Sequence, residues 1–419
     1  MANNTRITCT IFFSVLLCTN ALSQFGEGEH QSGNKHMAAH HYSVVCTGNK
    51  MPSSVILTYP INEFRVQDYN FLLKLMPCLV MDGNVVKPSA FEHVLVEDFP
   101  GGVKATINHL GTRMITRITP LLAGRGSEIW QGAVLYEIET EPSQEALIYL
   151  GGGETINLIW GFESSIMKQD SVSALEQVRL PGSSTMEFTG GKEDLHVGLK
   201  TSGTITLDDG GSSNSAAVVN ITGGSGYILT GFSEDKGQMQ SLMNMDAIAE
   251  KQAVEDYYQD LLKSSIQTPE TVMNEAFASA IYNLEYSWLE PFGWGECLHH
   301  WLALWYMQVT PAAEWIGQED RSRSSILIHG MEQLNNGAIP MFNPNHQKLG
   351  MKRRDWGGAN NFWAWQVRHY VKQTGDLEFA RQIIPMLDRA IEQTLDEYDP
   401  DGNLLIAWGL QIGNQEDFV

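Results

Sequence analysis

Basic residues are scarce in this chain. Lysine and arginine number 27 against 49 aspartate and glutamate, which leaves a formal net charge of −22 over 419 residues. Nucleic-acid binding neutralises phosphates with a basic patch, so this balance argues against nucleic acid, and against anionic lipid for the same reason. Charge of both signs is thin, at 18% where about 25% is usual. A disordered chain is excluded, because 43% of the residues are hydrophobic and a packed core follows. Single cores stop growing at roughly 250–300 residues, so two domains are expected. Cysteine is rare, with five in the whole chain; that rules out a disulfide scaffold, and no spacing among them fits a zinc site. Long apolar runs are missing too. The N-terminal one is too short to span a bilayer, and no later segment is long and apolar enough for a membrane helix. What the chain does have is tryptophan, 11 in all. Acidity with abundant indole suits a neutral, hydroxylated ligand, and sugars lead that class.

Residues 1–23 read as a secretory signal. Arg6 is followed by an apolar stretch of Ile7, Ile11, Phe12, Phe13, Val15, Leu16 and Leu17, then by the small-x-small site Ala21-Leu22-Ser23. The mature chain would begin at Gln24, secreted or periplasmic. Leu16-Leu17-Cys18 resembles a lipoprotein box, but Leu17 is bulky where a small residue is wanted, so a soluble exported protein is the better reading. Cys46, Cys78 and Cys297 would remain. Cys46 and Cys78 could bridge in an oxidising compartment, or all three could be buried thiols.

Residues 24–50 are polar, with His36, His40 and His41 among Gly, Ser and Asn; a flexible N-terminal segment fits better than a metal tract. Residues 51–232 carry a period of two. Val103, Ala105 and Ile107 alternate with polar neighbours, as do Met114, Thr116 and Ile118, then Val134, Tyr136 and Ile138, then Leu195, Val197 and Leu199. Turn pairs such as Asp82-Gly83, Gly101-Gly102 and Gly223-Gly224 separate them. Many short strands without intervening helices predict an antiparallel β-sandwich. A linker helix is expected within 233–267, and from residue 268 the period becomes helical. Thr268-Pro269-Glu270 reads as a helix start with Thr268 as cap, and Val272, Ala276, Phe277, Ala280, Ile281, Leu284 and Trp288 follow on one face. Helices are expected to follow near 297–309, 312–334, 359–373 and 377–397, the last with Ile383, Ile384, Leu387, Ile391 and Leu395 on one stripe. Polar-faced helices alternate with enclosed ones, the pattern of a two-layer helical barrel.

Nine of the 11 Trp lie after residue 267. Those on helix faces, Trp288, Trp301, Trp305, Trp315, Trp363 and Trp365, read as core. Trp294, Trp356 and Trp408 lie in Gly-rich loops, where an indole face can stack on the C–H face of a pyranose. Glu296 follows Trp294 at the start of a helix, where the dipole favours a carboxylate. Arg354 and Asp355 precede Trp356 and could fork onto sugar hydroxyls. Asp399-Pro400-Asp401-Gly402-Asn403 alternates oxygen ligands as a calcium loop does, but it lacks the rest of that loop and reads better as a turn. No other metal or cofactor is implied. Asn414, Gln415, Glu416 and Asp417 then follow Trp408. Glycoside hydrolysis needs one carboxyl held protonated to donate to the leaving oxygen and a second carboxylate opposite it. Burial near Trp408 and a like-charged neighbour would raise one of the two acids into the donor range.

These residues resemble the six-hairpin, or (α/α)6-barrel, glycosidases, including glucoamylase-like, trehalase-like, processing α-glucosidase-like and rhamnosidase-like groups. The likeness rests on a sandwich followed by helical hairpins, and on Gly293-Trp294-Gly295-Glu296, Arg354-Asp355-Trp356-Gly357-Gly358 and the segment from Asp399 to Phe418. It implies an α+β multidomain chain, with the sandwich at 51–232 and an incomplete (α/α)6 barrel at 268–419. It also implies a general acid in a loop after an early-to-middle inner helix, for which Glu416 is the first choice and Asp417 the second, and inversion at the anomeric carbon, with the base later in the chain. A full barrel needs six hairpins, whereas five helices are read after residue 267, so the resemblance implies a fragment. The expected activity is an exported glycoside hydrolase on oligosaccharides. The alternatives are a non-catalytic carbohydrate-binding protein and a polysaccharide lyase, the latter favoured only by Lys352-Arg353-Arg354.

Overall fold

The computed structural model describes residues 30–31, 38–39, 42–47, 53–58, 62–66, 71–87, 90–91, 93–99, 101–123, 131–151, 177–189, 195–207, 215–289, 293–294, 309–339, 359–399 and 401–403. The chain divides into two units, Met1–Gly48 with Pro52–Tyr258, and Asn49–Met51 with Gln259–Val419.

The first unit is built of strands β1 (His30–Gln31), β2 (Ala38–Ala39), β3 (Tyr42–Thr47), β4 (Ser53–Thr58), β5 (Asn62–Val66), β6 (Phe71–Met81), β7 (Asn84–Val86), β8 (His93–Phe99), β9 (Gly102–His109), β10 (Thr112–Pro120), β11 (Gln131–Glu141), β12 (Ala146–Gly151), β13 (Gln177–Gly182), β14 (Thr185–Thr189), β15 (His196–Thr201), β16 (Thr204–Leu207), β17 (Ser215–Ile221) and β18 (Ser225–Ser233). One sheet runs β1-β8-β9-β10-β11-β18-β15-β14-β13; the other runs β16-β17-β12-β6-β5-β4-β3-β2, with β7 beside β6. Among the described strands the pairing is antiparallel, apart from β1 with β8. Met114 lies opposite Ile107, and Ile118 opposite Tyr136. These side chains share one core with Leu73, Leu79, Ile148 and Val219 of the other sheet. The period of two in the sequence is therefore the inner face of a sandwich.

Segment 24–50, expected as a flexible terminus, contains β1, β2 and β3. Tyr42-Ser43-Val44-Val45-Cys46-Thr47 is rich in residues that favour extended backbone, and β3 pairs with β4 along its whole length. The cysteine question is also decided here. Cys78 is a free, buried thiol on β6. β5 and β4 lie between β6 and β3, and the position on β6 level with Cys46 is Leu72, so the strand spacings alone put Cys46 more than about 14 Å from Cys78, beyond the reach of a disulfide.

The expected single linker helix is two helices, α1 (Lys236–Met243) and α2 (Ala247–Leu261). Polar side chains make the break. Asp235 caps α1 by accepting from Gln238 N–H at 2.8 Å, and Asp246 caps α2 by accepting from Ile248 and Ala249 N–H at 3.1 Å each. α1 lies wholly within the sandwich unit, whereas α2 runs past Tyr258, where the first unit gives way to the second. Gly198 and Gly231 are register partners on β15 and β18, and a Cβ at either would meet Met239, Leu242 or Met243 of α1. Two bare positions side by side let α1 sit close on the outer face, where Leu135 and Leu229 are buried beneath it. Lys251 of α2 adds an ion pair to Glu137 at 2.8 Å.

The second unit contains α3 (Thr271–Ser287), the short strands β19 (Trp288–Leu289) and β20 (Gly293–Trp294), then α4 (Val309–Trp315), α5 (Glu319–Met331), α6 (Ala359–Thr374) and α7 (Leu377–Tyr398). The chain is thus an α+β protein, an N-terminal antiparallel sandwich followed by helices. Ile326, Ile339, Ala359, Trp363, Val367, Tyr370, Phe379, Ile383 and Ala390 form the core of α5, α6 and α7. Asp376 caps α7 by accepting from Phe379 N–H at 2.8 Å, and that bond is the main reason its carboxyl sits below the ordinary range.

Four helix expectations need correction. Thr268 lies outside α3, whose cap position is Glu270; the Thr268 hydroxyl instead donates to Asn274 Oδ1 at 2.9 Å. Val272, Ala276 and Ala280 are exposed, and α3 buries Ile281, Tyr282 and Glu285. Residues 312–334 are two helices, because Gly317, at φ +85°, closes α4: Gln318 N–H donates to Ala313 O at 2.9 Å and Gly317 N–H to Glu314 O at 3.2 Å. On α7, Ile384 and Ile391 are exposed; the buried stripe runs through Phe379, Ile383 and Ala390, about one residue's turn away. Of the expected helix at 297–309, residues 297–308 lie outside the described residues, and Val309 begins α4.

Candidate functional site

The hairpin of β19 and β20 places two indoles together. Trp288 and Trp294 are register partners with ring centroids 4.7 Å apart. Arg321 reaches this pair from α5. Its guanidinium lies 5.0 Å from the Trp288 ring centroid and 2.6 Å from Glu285 Oε2, and Nη1 also donates to Gln318 Oε1 at 3.2 Å. The Glu285 side chain is almost wholly buried, and a buried carboxylate requires such a partner. Arginine suits the position because one planar group can pair with the acid and stack on the ring. Trp294 is itself only 3% exposed, and among the described residues no acceptor reaches its Nε1–H. An unpaired buried donor costs about 1–3 kcal/mol, so this hairpin holds Trp294 at some expense.

Trp294 is thus inside the hairpin rather than open on a loop. Glu296, Arg354, Asp355, Trp356, Trp408, Asn414, Gln415, Glu416 and Asp417 lie outside the described residues. Of the tryptophans read as core, Trp363 is fully buried, Trp365 is half-buried, and Trp315 is 71% exposed at the end of α4, against expectation. A helix-face position predicts burial only while the helix continues, and Trp315 stands where α4 stops.

A second polar group spans α4 and α6. Glu314 Oε2 is 2.9 Å from His369 Nδ1, and the Glu314 side chain has no exposure, while His369 keeps 24%. Trp365 stacks on the His369 ring at 5.2 Å and 27°. Burial holds the Glu314 carboxyl above the ordinary carboxylate range; the bond to His369 opposes this and Glu319 reinforces it. Neither Glu285 nor Glu314 stood out in the sequence. Glu314 precedes Trp315 at the end of an apolar segment, which was the one available hint of burial.

The Asp399 carboxylate accepts from Asn403 N–H at 2.9 Å, its backbone carbonyl accepts from Gly402 N–H at 3.1 Å, and Gly402 has φ +67°, so the described residues 401–403 turn back onto Asp399. Among the described residues no group of three or more His, Cys, Asp or Glu could hold a metal ion, and no helix is long and apolar enough to cross a membrane.

An antiparallel sandwich followed by helices is the class this chain falls in. No family model matches it, and no curated protein matches it. Solved structures similar to it include a protein titled a kojibiose phosphorylase, from the human microbiome, at 10% identity and a TM-score of 0.49, over 85% of this chain and 56% of that one. Another is a family GH92 α-mannosidase from Bacteroides thetaiotaomicron, at 12% identity and a TM-score of 0.39, over 91% of this chain and 65% of that one. The chain therefore spans less than two thirds of the length of either.

Proposed function

We propose that this chain is the sandwich and part of the (α/α)6 barrel of an exported, inverting glycoside hydrolase acting on oligosaccharides. Glu416 is the general acid, with Asp417 the second choice. Trp294, Glu296, Arg354, Asp355, Trp356, Trp408, Asn414 and Gln415 hold the sugar. The acid gives its proton to the departing glycosidic oxygen while a base on the opposite face activates water. No cofactor is required for either step.

The observation that carries this reading is the order of the two units, a sandwich followed by helical hairpins, the order that the resemblance in the sequence implies. Fold alone does not fix activity, so the site has to decide it. The Trp288–Trp294 pair beside Arg321 supports a sugar ligand, because paired indole rings stand beside a cation.

The test assays the full-length protein that carries this chain, and its Glu416→Gln and Asp417→Asn variants, on a panel of aryl glycosides, with calorimetry of oligosaccharide binding alongside. Loss of turnover with retained binding in one variant supports the assignment. Full turnover in both variants removes it, and sugar binding without any product by the unsubstituted protein favours the non-catalytic alternative. Export is tested separately, by sequencing the N-terminus of the protein recovered outside the cytoplasm; Gln24 is the expected first residue.

A further inference from the structure

Glu314 and His369 form a contact that the proposed sugar site does not use. The carboxyl lies wholly inside, one oxygen against His369 Nδ1 at 2.9 Å and the other, Oε1, buried without a hydrogen-bond partner. One turn earlier on α4, the buried Thr310 hydroxyl also lacks a partner. The inner side of the contact therefore supports a bare carboxylate poorly. The outer side differs. His369 keeps 24% of its side-chain surface, its Nε2 is not among the buried polar atoms that lack a partner, and Trp365 stacked on one face fixes the ring plane. Besides His369, the charged group that acts on Glu314 is Glu319, at the start of α5.

We propose that Glu314 and His369 are an acid–base dyad whose exchangeable proton enters and leaves at His369 Nε2, and that this nitrogen binds a saccharide hydroxyl. One proton stays between Oε2 and Nδ1, where solvent does not reach. When a second proton is bound, Nε2 carries it and is a donor. When that proton departs to water, Nε2 keeps a lone pair and accepts, while Nδ1–H donates to the carboxylate. A sugar hydroxyl both donates and accepts, so it suits either state. Burial of the carboxyl keeps the inner proton in place, and orientation of an imidazole by a carboxylate on its far nitrogen is a recurrent way to define the near one. The ligand class rests on the carbohydrate reading; the dyad itself does not.

The test labels the full chain with 15N-histidine and assigns His369 by the signals lost in His369→Asn, a change that leaves a side-chain donor for Glu314. Across the titration Nδ1 is expected to keep its hydrogen-bonded, protonated signature while only Nε2 changes, and Glu314→Gln is expected to return both nitrogens to a tautomer mixture. Joint titration of both nitrogens in the unsubstituted protein would overturn the dyad. Methyl α-glucoside, methyl α-mannoside and maltose are then added in turn. Movement of the Nε2 signal, with affinity about tenfold weaker in His369→Asn, supports the ligand assignment. A sugar that binds by calorimetry and leaves Nε2 unmoved overturns it. If the dyad signature is present and no sugar binds, the carbohydrate reading fails and takes the ligand with it, and the dyad stands.

Discussion

The indole Nε1–H of Trp363 donates to the backbone carbonyl of Ile326 at 2.8 Å, tying α6 to α5 at the centre of the second unit. Both residues are fully buried, and Gly330 leaves the room: a Cβ there would lie 2.7 Å from Trp363 Cζ2. Trp363→Phe should lose the hydrogen bond and part of the ring, at about 1–3 kcal/mol, and Trp363→Ala about 3–5 kcal/mol. Urea unfolding followed by circular dichroism reads both. Equal losses in the two variants would show that ring volume contributes little.

Asn360 joins three segments. Its Oδ1 accepts from Ile339 N–H at 2.7 Å, while its Nδ2 faces Ala390 O, Gln393 Oε1 and Thr394 Oγ1 on α7. Asn360→Ala strands the Ile339 N–H and the α7 acceptors, so a loss of about 2–4 kcal/mol is expected. Asn360→Asp should also destabilise, since it replaces the donor facing those acceptors with a second acceptor. If Asn360→Asp unfolds at the same urea concentration as the native chain, the amide donor is not what holds α6 to α7.

His329 makes stability depend on acid. It is fully enclosed, its Nδ1–H donates to Ser325 O at 2.7 Å, and its Nε2 has no partner. Burial lowers its pKa, only partly offset by the Ser325 bond. The unfolded chain therefore takes up this proton first as pH falls through about 6.5. The full contribution to stability is present above that pH and drains away below it. Melting temperature measured from pH 7 to 5 should fall less steeply in His329→Gln than in the native chain. Parallel curves would place the acid sensitivity elsewhere.

Cys78 should be inert in the folded state. Burial pushes its thiol up to about 12, with Lys87 opposing weakly, so almost no thiolate exists near neutrality. Mass-spectrometric mapping after alkylation at pH 8 should find Cys78 unmodified in native protein and modified in urea. Modification at the same rate in both would mean that the sandwich opens at β6.

The sequence displayed the sandwich because its signal is local. Met114, Ile118, Tyr136 and Val197 repeat at every second residue, and any sheet burying one face must show that repeat. Helix faces were less legible. Ile384 and Ile391 look like core by spacing, yet they are exposed, since an amphipathic helix can carry apolar residues on a second face and only its neighbours select the buried one. The break between α1 and α2 was written in Asn244 and Asp246, whose side chains compete for backbone groups, but the docking of α1 on the sheet depends on Gly198 and Gly231 meeting across two strands.

Of the residues expected to bind sugar, Trp294 is the one within the described residues, and its partners came from elsewhere in the chain. Trp288 is six residues away, but Glu285 and Arg321 meet over a separation of 36, and Glu314 and His369 over 55. Composition and periodicity determined an acidic, two-unit chain, sheet first and helices after. Which acids are buried, and which cation or imidazole keeps each company, was decided by the packing of the helices alone, because desolvation depends on what surrounds a side chain in space and not on what precedes it in the chain.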